Sequence, residues 1–179
     1  MADSYHLTNL TMDAITPVEA LDTPSDLKEK GRKKVSEAVN QLVADSFALY
    51  IKTKNYHWHM SGRHFRDYHL LLDEQSQQIF ATIDPLAERV RKLGFDTIRS
   101  VGHIAQLQRV KDNDEDFVTP RDMLLDLVHE NKKMAKNMRD THKICDDAED
   151  VATASLLEVY IDETERRTWF LYETTREIN

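Results

Sequence analysis

The sequence has few of the residues that interrupt helices. Glycine and proline each occur only four times among 179 residues, whereas 31% of the residues are charged. Sheet-rich domains need many turn residues, so this composition favours an all-α protein. At this length we expect one domain that is large enough to bury a proper core.

Cysteine and long apolar runs are also scarce. The single cysteine, Cys145, excludes an intrachain disulfide framework and is typical of a reducing cytoplasm. We expect its side chain to be buried and unreactive. No apolar run approaches the ~20 residues of a membrane span, and the N-terminus lacks the basic and then apolar segments of a signal peptide. We therefore expect a soluble, cytoplasmic protein that does not enter a membrane.

The first 26 residues lack positive charge. They contain five acidic residues and neither lysine nor arginine. With Pro17 and Pro24 they predict an extended acidic arm over residues 1–26, followed by a helical domain over residues 27–179. The net charge of −8 argues against general nucleic-acid binding and favours attraction of cations. The basic cluster from Lys28 to Lys34 is the counter-argument, and we interpret it as the solvated first turns of a helix.

Helical periodicity and end signals predict four long helices and one short helix. Gly94 is expected to end the second long helix, and Pro85 is expected to kink it. A long crossover between the second and third long helices, carrying the short extra helix, gives an all-α, ferritin-like four-helix bundle. The predicted boundaries, in order, are Ser25 or Asp26 to Met60, His64 to Leu93, Ile98 to Val110 for the short helix, Thr119 onward with Pro120 at the first position, and Ala152 to Arg176.

The second long helix carries two pairs of metal-ligating residues. Residues four apart share a helix face, so His69 lies beside Asp73, and Asp84 lies beside Glu88. Both pairs point nearly the same way. Eleven residues separate Asp73 from Asp84, and at ~100° per residue this is three full turns of the helix plus only ~20°. His57 lies on the preceding helix, twelve residues before His69 and across the break at Ser61 and Gly62, and is able to fold back onto the first pair. Imidazoles mixed with carboxylates suit iron, zinc or manganese.

These residues cannot bind one metal ion within a single chain. Eleven residues at ~1.5 Å each separate the two pairs by roughly 16 Å. One chain therefore supplies two half-sites: a histidine half-site (His57, His69 and Asp73) and a carboxylate half-site (Asp84 and Glu88). A two-fold axis near the middle of the helix would bring the histidine half-site of one chain to the carboxylate half-site of another. The spacing thus predicts a metal site between subunits.

At this level of detail the sequence resembles the Dps family, the miniferritins named as DNA-binding proteins from starved cells. The similarity extends loosely from about residue 28 to the end. The resemblance implies a hollow dodecamer of four-helix bundles that oxidises Fe(II), often with hydrogen peroxide, and stores the ferric mineral. The matching positions are Lys54, His57, Trp58, Gly62, Phe65, His69, Asp73, Asp84, Ala87, Glu88, Arg89, Leu93 and Gly94.

Two positions extend or depart from the family pattern. His59 stands where the family usually has asparagine, and it is either an added ligand or a surface imidazole. The acidic segment around Asp146, Asp147 and Asp150 lies, by resemblance, near the three-fold axis, where acids line a pore for iron. The alternative is an ordinary loop between helices, whose acids favour the next helix dipole.

The predicted chemistry is a ferroxidase reaction with H₂O₂ or O₂ as oxidant. Asp84 and Glu88 are expected to supply oxygen ligands to iron, His57 and His69 neutral nitrogen, and Asp73 either a ligand or an orienting contact. Zinc is expected to compete for the same site.

A nucleoid-packing DNA binder and a passive metal-binding shell are the alternative functions. Conventional diiron bundles hold their metals within one chain through Glu-x-x-His motifs, and this sequence has none. Trp58 is either an electron donor or, more simply, an interface aromatic.

Overall fold

The computed structural model describes residues 21–176, and this part of the chain consists of helices with no strand. The predicted all-α class is confirmed. The predicted acidic arm lies outside the described residues except for residues 21–26. The helices are α1 (Glu29–His59), α2 (Phe65–Lys92), α3 (Val101–Leu107), α4 (Pro120–Asp147) and α5 (Val151–Thr175).

The four long helices form two antiparallel pairs around one core. A short turn joins α1 to α2 and another joins α4 to α5, while α1 also packs against α4. Apolar residues at helical spacing bury one face of each helix, so the core runs the length of the bundle. Its fully buried residues include Val35, Val39, Leu42, Leu49, Leu72, Leu86, Leu127, Met138, Leu157 and Leu171.

Polar end signals fix most helix boundaries. The Thr119 hydroxyl accepts a hydrogen bond from the Asp122 N–H, and Pro120 takes the first position of α4, as the sequence predicted. Gly94 adopts φ +85° after α2, where the Phe95 N–H donates to the Val90 carbonyl. Helix α2 continues through Pro85.

Three predicted boundaries are wrong: the start of the first helix and both ends of the short helix. Helix α1 begins at Glu29 rather than after Ser25 or Asp26, because the Ser25 hydroxyl accepts the Leu27 N–H in a local turn and no longer caps a helix. The short helix α3 covers only Val101–Leu107, because the Ser100 hydroxyl caps it at its start. The other predicted ends agree with the structure to within one residue.

The crossover from α2 to α4 is bonded to α1 by buried charged groups. Asp45, only 1% exposed, accepts hydrogen bonds from the Arg109 main-chain N–H (2.7 Å) and from its guanidinium (2.6 Å). The Lys52 ammonium donates to the Lys111 carbonyl at 2.8 Å and lies 2.8 Å from the Asp126 carboxylate. These contacts hold the crossover along the α1–α4 groove and leave the outer face of α1 and α2 free of it.

Candidate metal centre

The histidine half-site forms where the end of α1 meets the start of α2. His57 lies in the last turn of α1, and His69 and Asp73 lie in the first turns of α2. The two imidazoles are stacked, with ring centroids 3.7 Å apart and an interplanar angle of 22°. The structure thus brings together the two histidines that the sequence separates by twelve residues.

Each of these imidazoles is oriented by the other residue's main chain. His57 Nδ1 lies 2.8 Å from the His69 carbonyl oxygen, and His69 Nδ1 lies 2.9 Å from the His57 carbonyl oxygen. A carbonyl oxygen can only accept, so each Nδ1 carries the proton. In the neutral rings both Nε2 atoms then keep their lone pairs, which is the tautomer that a metal ligand requires.

Asp73 is ionised and already has two partners. Its carboxylate accepts from the Lys54 ammonium at 2.9 Å and from the Gln77 amide at 3.1 Å. The hydrogen bond from Lys54 holds the pKa of Asp73 below its usual range. A metal ion at the histidine half-site would therefore share this carboxylate with an ammonium group.

The carboxylate half-site is open to solvent. Asp84 and Glu88 are exposed, and the Glu88 carboxylate lies 3.0 Å from the Lys92 ammonium one turn later. Within residues 21–176 of one chain, no three His, Cys, Asp or Glu side chains are grouped so that they would hold a metal ion. The single chain therefore presents the two half-sites separately.

Exposed apolar side chains surround both half-sites. Phe65 precedes His69 by one helical turn, and Phe80 precedes Asp84 by one turn; they are 44% and 54% exposed. Ile51 and Trp58, two turns apart on α1, are also exposed, at 55% and 60%. An apolar face of this kind on a water-soluble helix pair is typical of a surface that a protein partner covers.

The bundle interior offers no comparable site. At its centre lies Arg167, 2% exposed, which donates to Asn131 Oδ1 at 3.2 Å and to Thr164 Oγ1 at 2.6 Å. Burial lowers the pKa of Arg167 to about 10, so the group stays cationic at neutral pH. A buried cation in the bundle interior opposes binding of Fe(II) near it. Sequence reasoning missed Arg167, because nothing in its spacing distinguishes it from a surface arginine.

His59 lies apart from the histidine half-site. Side chains two positions apart on a helix differ in direction by about 200°, so His59 points away from His57. Its Nδ1 lies 2.8 Å from the Asn55 carbonyl oxygen, and the ring is exposed. The structure favours the surface imidazole over the added ligand.

The acidic segment divides into one structural residue and two exposed ones. Asp150, 3% exposed, accepts from the Thr153 N–H at the start of α5 and from the Arg89 guanidinium at 3.0 Å. Its buried carboxylate therefore caps α5 and does not face a pore. For Asp150 the structure supports the interpretation as a helix-end acid and not the interpretation as a pore residue. Asp146 and Asp147 are exposed, and for them the pore stays a prediction.

In residues 21–176 no helix combines the length and the apolar composition that a membrane span needs.

Comparison with known proteins identifies a family model, a relative and two solved structures. A model of the ferritin-like domain matches residues 36–179. The chain is 33% identical over 170 residues to DNA protection during starvation protein 1 of Deinococcus radiodurans, a match that covers 95% of this chain and 79% of the relative. Among solved structures, Dps from Thermosynechococcus elongatus is similar with 26% identity and a TM-score of 0.81, covering 84% of this chain and 95% of that chain. Dps from Vibrio cholerae, described as a member of a broad superfamily of ferritin-like diiron-carboxylate proteins, matches with 26% identity and a TM-score of 0.79, covering 84% and 94%.

Proposed function

The chain belongs to the Dps family of ferritin-like proteins, and on that premise we propose that it is a ferroxidase that stores iron. It oxidises Fe(II) with H₂O₂ or O₂ and keeps the ferric product inside a closed shell, which protects against oxidative damage. The observation that carries this proposal is the reciprocal bonding of His57 and His69, which leaves two Nε2 lone pairs beside the ionised Asp73.

The complete site requires a second copy of the chain. Asp84 and Glu88 of the partner subunit would approach His57, His69 and Asp73 across a two-fold axis, and the exposed apolar face would be buried by the same contact. The family implies that six such dimers close into a dodecamer. Repeating a net charge of −8 in a shell would attract ferrous ions.

The roles of the ligands follow from their chemistry. The imidazoles supply neutral nitrogen and the partner's carboxylates supply charged oxygen, a set that suits Fe(II). Two Fe(II) ions each give one electron to H₂O₂, which takes up two protons and leaves as two water molecules. Neutral nitrogen donors also suit Zn²⁺, which exceeds Fe²⁺ in the usual order of affinity, so we expect zinc to compete for the site and inhibit oxidation.

DNA binding is not part of the proposed function, although a relative is named for DNA protection. The acidic residues at positions 1–26 would repel phosphate groups. In the basic cluster, Arg32 is engaged with the Leu93 carbonyl at 2.9 Å and lies 3.9 Å from the Asp22 carboxylate.

The proposal is tested by removing the carboxylate half-site. Asp84→Ala combined with Glu88→Ala should abolish fast oxidation of Fe(II), because both residues are expected to be ligands, and the folded shell should persist, because both are exposed. The measurement is ferric absorbance after anaerobic loading with Fe(II) and addition of H₂O₂ or air, with the mass of the assembly followed in parallel.

A matched control removes two other exposed acids from the same helix, Asp67 and Glu74. The Asp67→Ala/Glu74→Ala variant loses the same charge but no proposed ligand, and it should oxidise iron at the parental rate. Parental activity in the Asp84→Ala/Glu88→Ala variant would reject the site assignment. A shell that binds iron without oxidising it would reject the ferroxidase function and favour the passive shell.

A further inference from the structure

A cleft separate from the metal centre lies at the end of the bundle that carries the α1–α2 turn, and we call it the terminal cleft. Its volume is about 440 Å³, and it forms where the turn between α1 and α2, the first turn of α4 and the last turn of α5 meet. Arg63, Arg121 and Arg176 line it together with His64. No Asp or Glu is among its lining residues in the described part of the chain. Among residues 21–176, the lining of the terminal cleft is therefore a concentration of positive charge on a protein whose net charge is −8.

Two of the three guanidinium groups form no salt bridge with a described residue, and the third forms only a weak one. Within residues 21–176, neither Arg63 nor Arg121 has a carboxylate within 4.0 Å, whereas most arginines of this part of the chain do. Arg176 lies 3.3 Å from the Glu173 carboxylate, with both side chains about half exposed. Such an exposed pair within one turn is weak, so Arg176 is also free to turn to an anion.

The start of α4 adds a second source of positive potential. The aligned peptide dipoles of this 28-residue helix place positive charge at this end. Pro120 has no N–H, and Thr119 accepts from the N–H groups of Asp122 and Met123, so the contribution is that of the dipoles. Asp122, which accepts a hydrogen bond from the Thr119 hydroxyl at 2.6 Å, offsets part of that charge. Arg121, at the second position of α4, brings its guanidinium to the same place.

From these contacts we propose that the terminal cleft binds a small oxyanion of the phosphate class. Guanidinium groups are suited to phosphate because their N–H donors form paired, charge-assisted hydrogen bonds with its oxygens. A concave site of this size fits a small anion, which experiences mainly the local field. A nucleic acid would instead extend beyond the cleft over a protein whose net charge is −8, which repels it. This inference does not depend on the iron chemistry proposed above.

The test is a titration of the iron-free protein with inorganic phosphate by isothermal calorimetry, because ferric mineral would itself bind phosphate. We expect saturable binding at one phosphate per chain in the millimolar range or tighter. Arg63→Gln and Arg121→Gln should each weaken it by about tenfold or more, since each removes a charge-assisted contact. Both side chains are exposed, so the variants should keep the parental circular dichroism and assembly mass.

The control variant is Arg66→Gln, which removes an exposed arginine from the first turn of α2 that does not line the cleft. It should bind phosphate as the parent does. The same weakening in Arg66→Gln and Arg63→Gln would show that only the general field matters and would overturn the site. Absence of saturable binding at millimolar phosphate would also overturn it. A duplex DNA that displaces phosphate at submicromolar concentration would identify a polymer, and not a small oxyanion, as the ligand.

Discussion

Lys54 competes with the proposed metal for a ligand. Its ammonium donates to Asp73 at 2.9 Å and lies 5.9 Å from the centre of the Trp58 ring. The same bond keeps Asp73 ionised at a lower pH than an ordinary carboxyl. Lys54 thus has two effects of opposite sign on metal binding: it extends the pH range of the anionic ligand, and it repels the cation.

At neutral pH the repulsion should dominate, because Asp73 is ionised with or without Lys54. Lys54→Gln should therefore increase the affinity for Zn²⁺ or anaerobic Fe²⁺ by about fivefold or more, the effect of removing one unit charge a few ångströms away even in water. Calorimetric titration near pH 7 measures this. Lys136→Gln, which removes an exposed lysine of α4, should leave the affinity unchanged. An equal or weaker affinity in Lys54→Gln would show that Lys54 does not oppose the metal.

Cys145 should be chemically inert in the native protein. Its side chain is fully buried, and burial, with the nearby Asp150 carboxylate, raises the pKa of the thiol to about 12. The thiolate that reacts with alkylating reagents is thus nearly absent at pH 8. Native protein should remain unlabelled by iodoacetamide over hours, and unfolded protein should take up one equivalent. Rapid labelling of the native protein would show that the α4–α5 turn opens in solution.

At the scale of helices, the end of α2 is fixed by a backbone conformation that glycine favours. Gly94 has φ +85°, and a Cβ there would lie 3.0 Å from both Arg32 Nη1 and Asp22 Oδ1. Gly94→Ala should therefore lower the free energy of unfolding by about 1–2 kcal/mol, the cost of a left-handed conformation with a side chain.

Gly102 provides the comparison for Gly94. It lies within α3, where a Cβ would meet only Ser100 Oγ at 3.8 Å. Gly102→Ala should leave stability unchanged or raise it by up to about 1 kcal/mol, because alanine favours the helix. Urea unfolding of both variants at one protein concentration measures the difference. Equal effects at the two positions would contradict the structural account of the α2 terminus.

The helices also show which features could be predicted from the sequence and which could not. Periodicity and end residues such as Thr119 and Gly94 predict helices correctly, because those signals act within a few residues. The reciprocal bonds of His57 and His69 were beyond prediction, because they depend on how the end of α1 crosses the start of α2. Asp150 was open to two interpretations for a similar reason. Its partner Arg89 lies 61 residues away in the sequence.

At the scale of the whole molecule, the proposed activity is a property of the assembly. One chain carries the histidine half-site at the junction of α1 and α2 and the carboxylate half-site further along α2. Apolar side chains are exposed beside both half-sites. The five candidate ligands themselves were predicted from the sequence. Their division between two subunits stays a prediction that rests on helix geometry.

Complementation between two inactive variants tests this division most directly. One variant carries His69→Ala and Asp73→Ala, and the other carries Asp84→Ala and Glu88→Ala. In a mixed dimer, one of the two composite sites takes its histidine half-site from the second variant and its carboxylate half-site from the first, so it keeps every proposed ligand. The other composite site loses both halves.

The measurement is the rate of Fe(II) oxidation after the two variants are dissociated, mixed in equal amounts and reassembled, with subunit exchange verified by mass. Random pairing makes about half of the dimers mixed, each with one intact site of two, so roughly a quarter of the parental rate should return if the sites act independently. A site built within one chain cannot be restored in this way, because every chain carries a broken half. No recovery after verified exchange would contradict the intersubunit site.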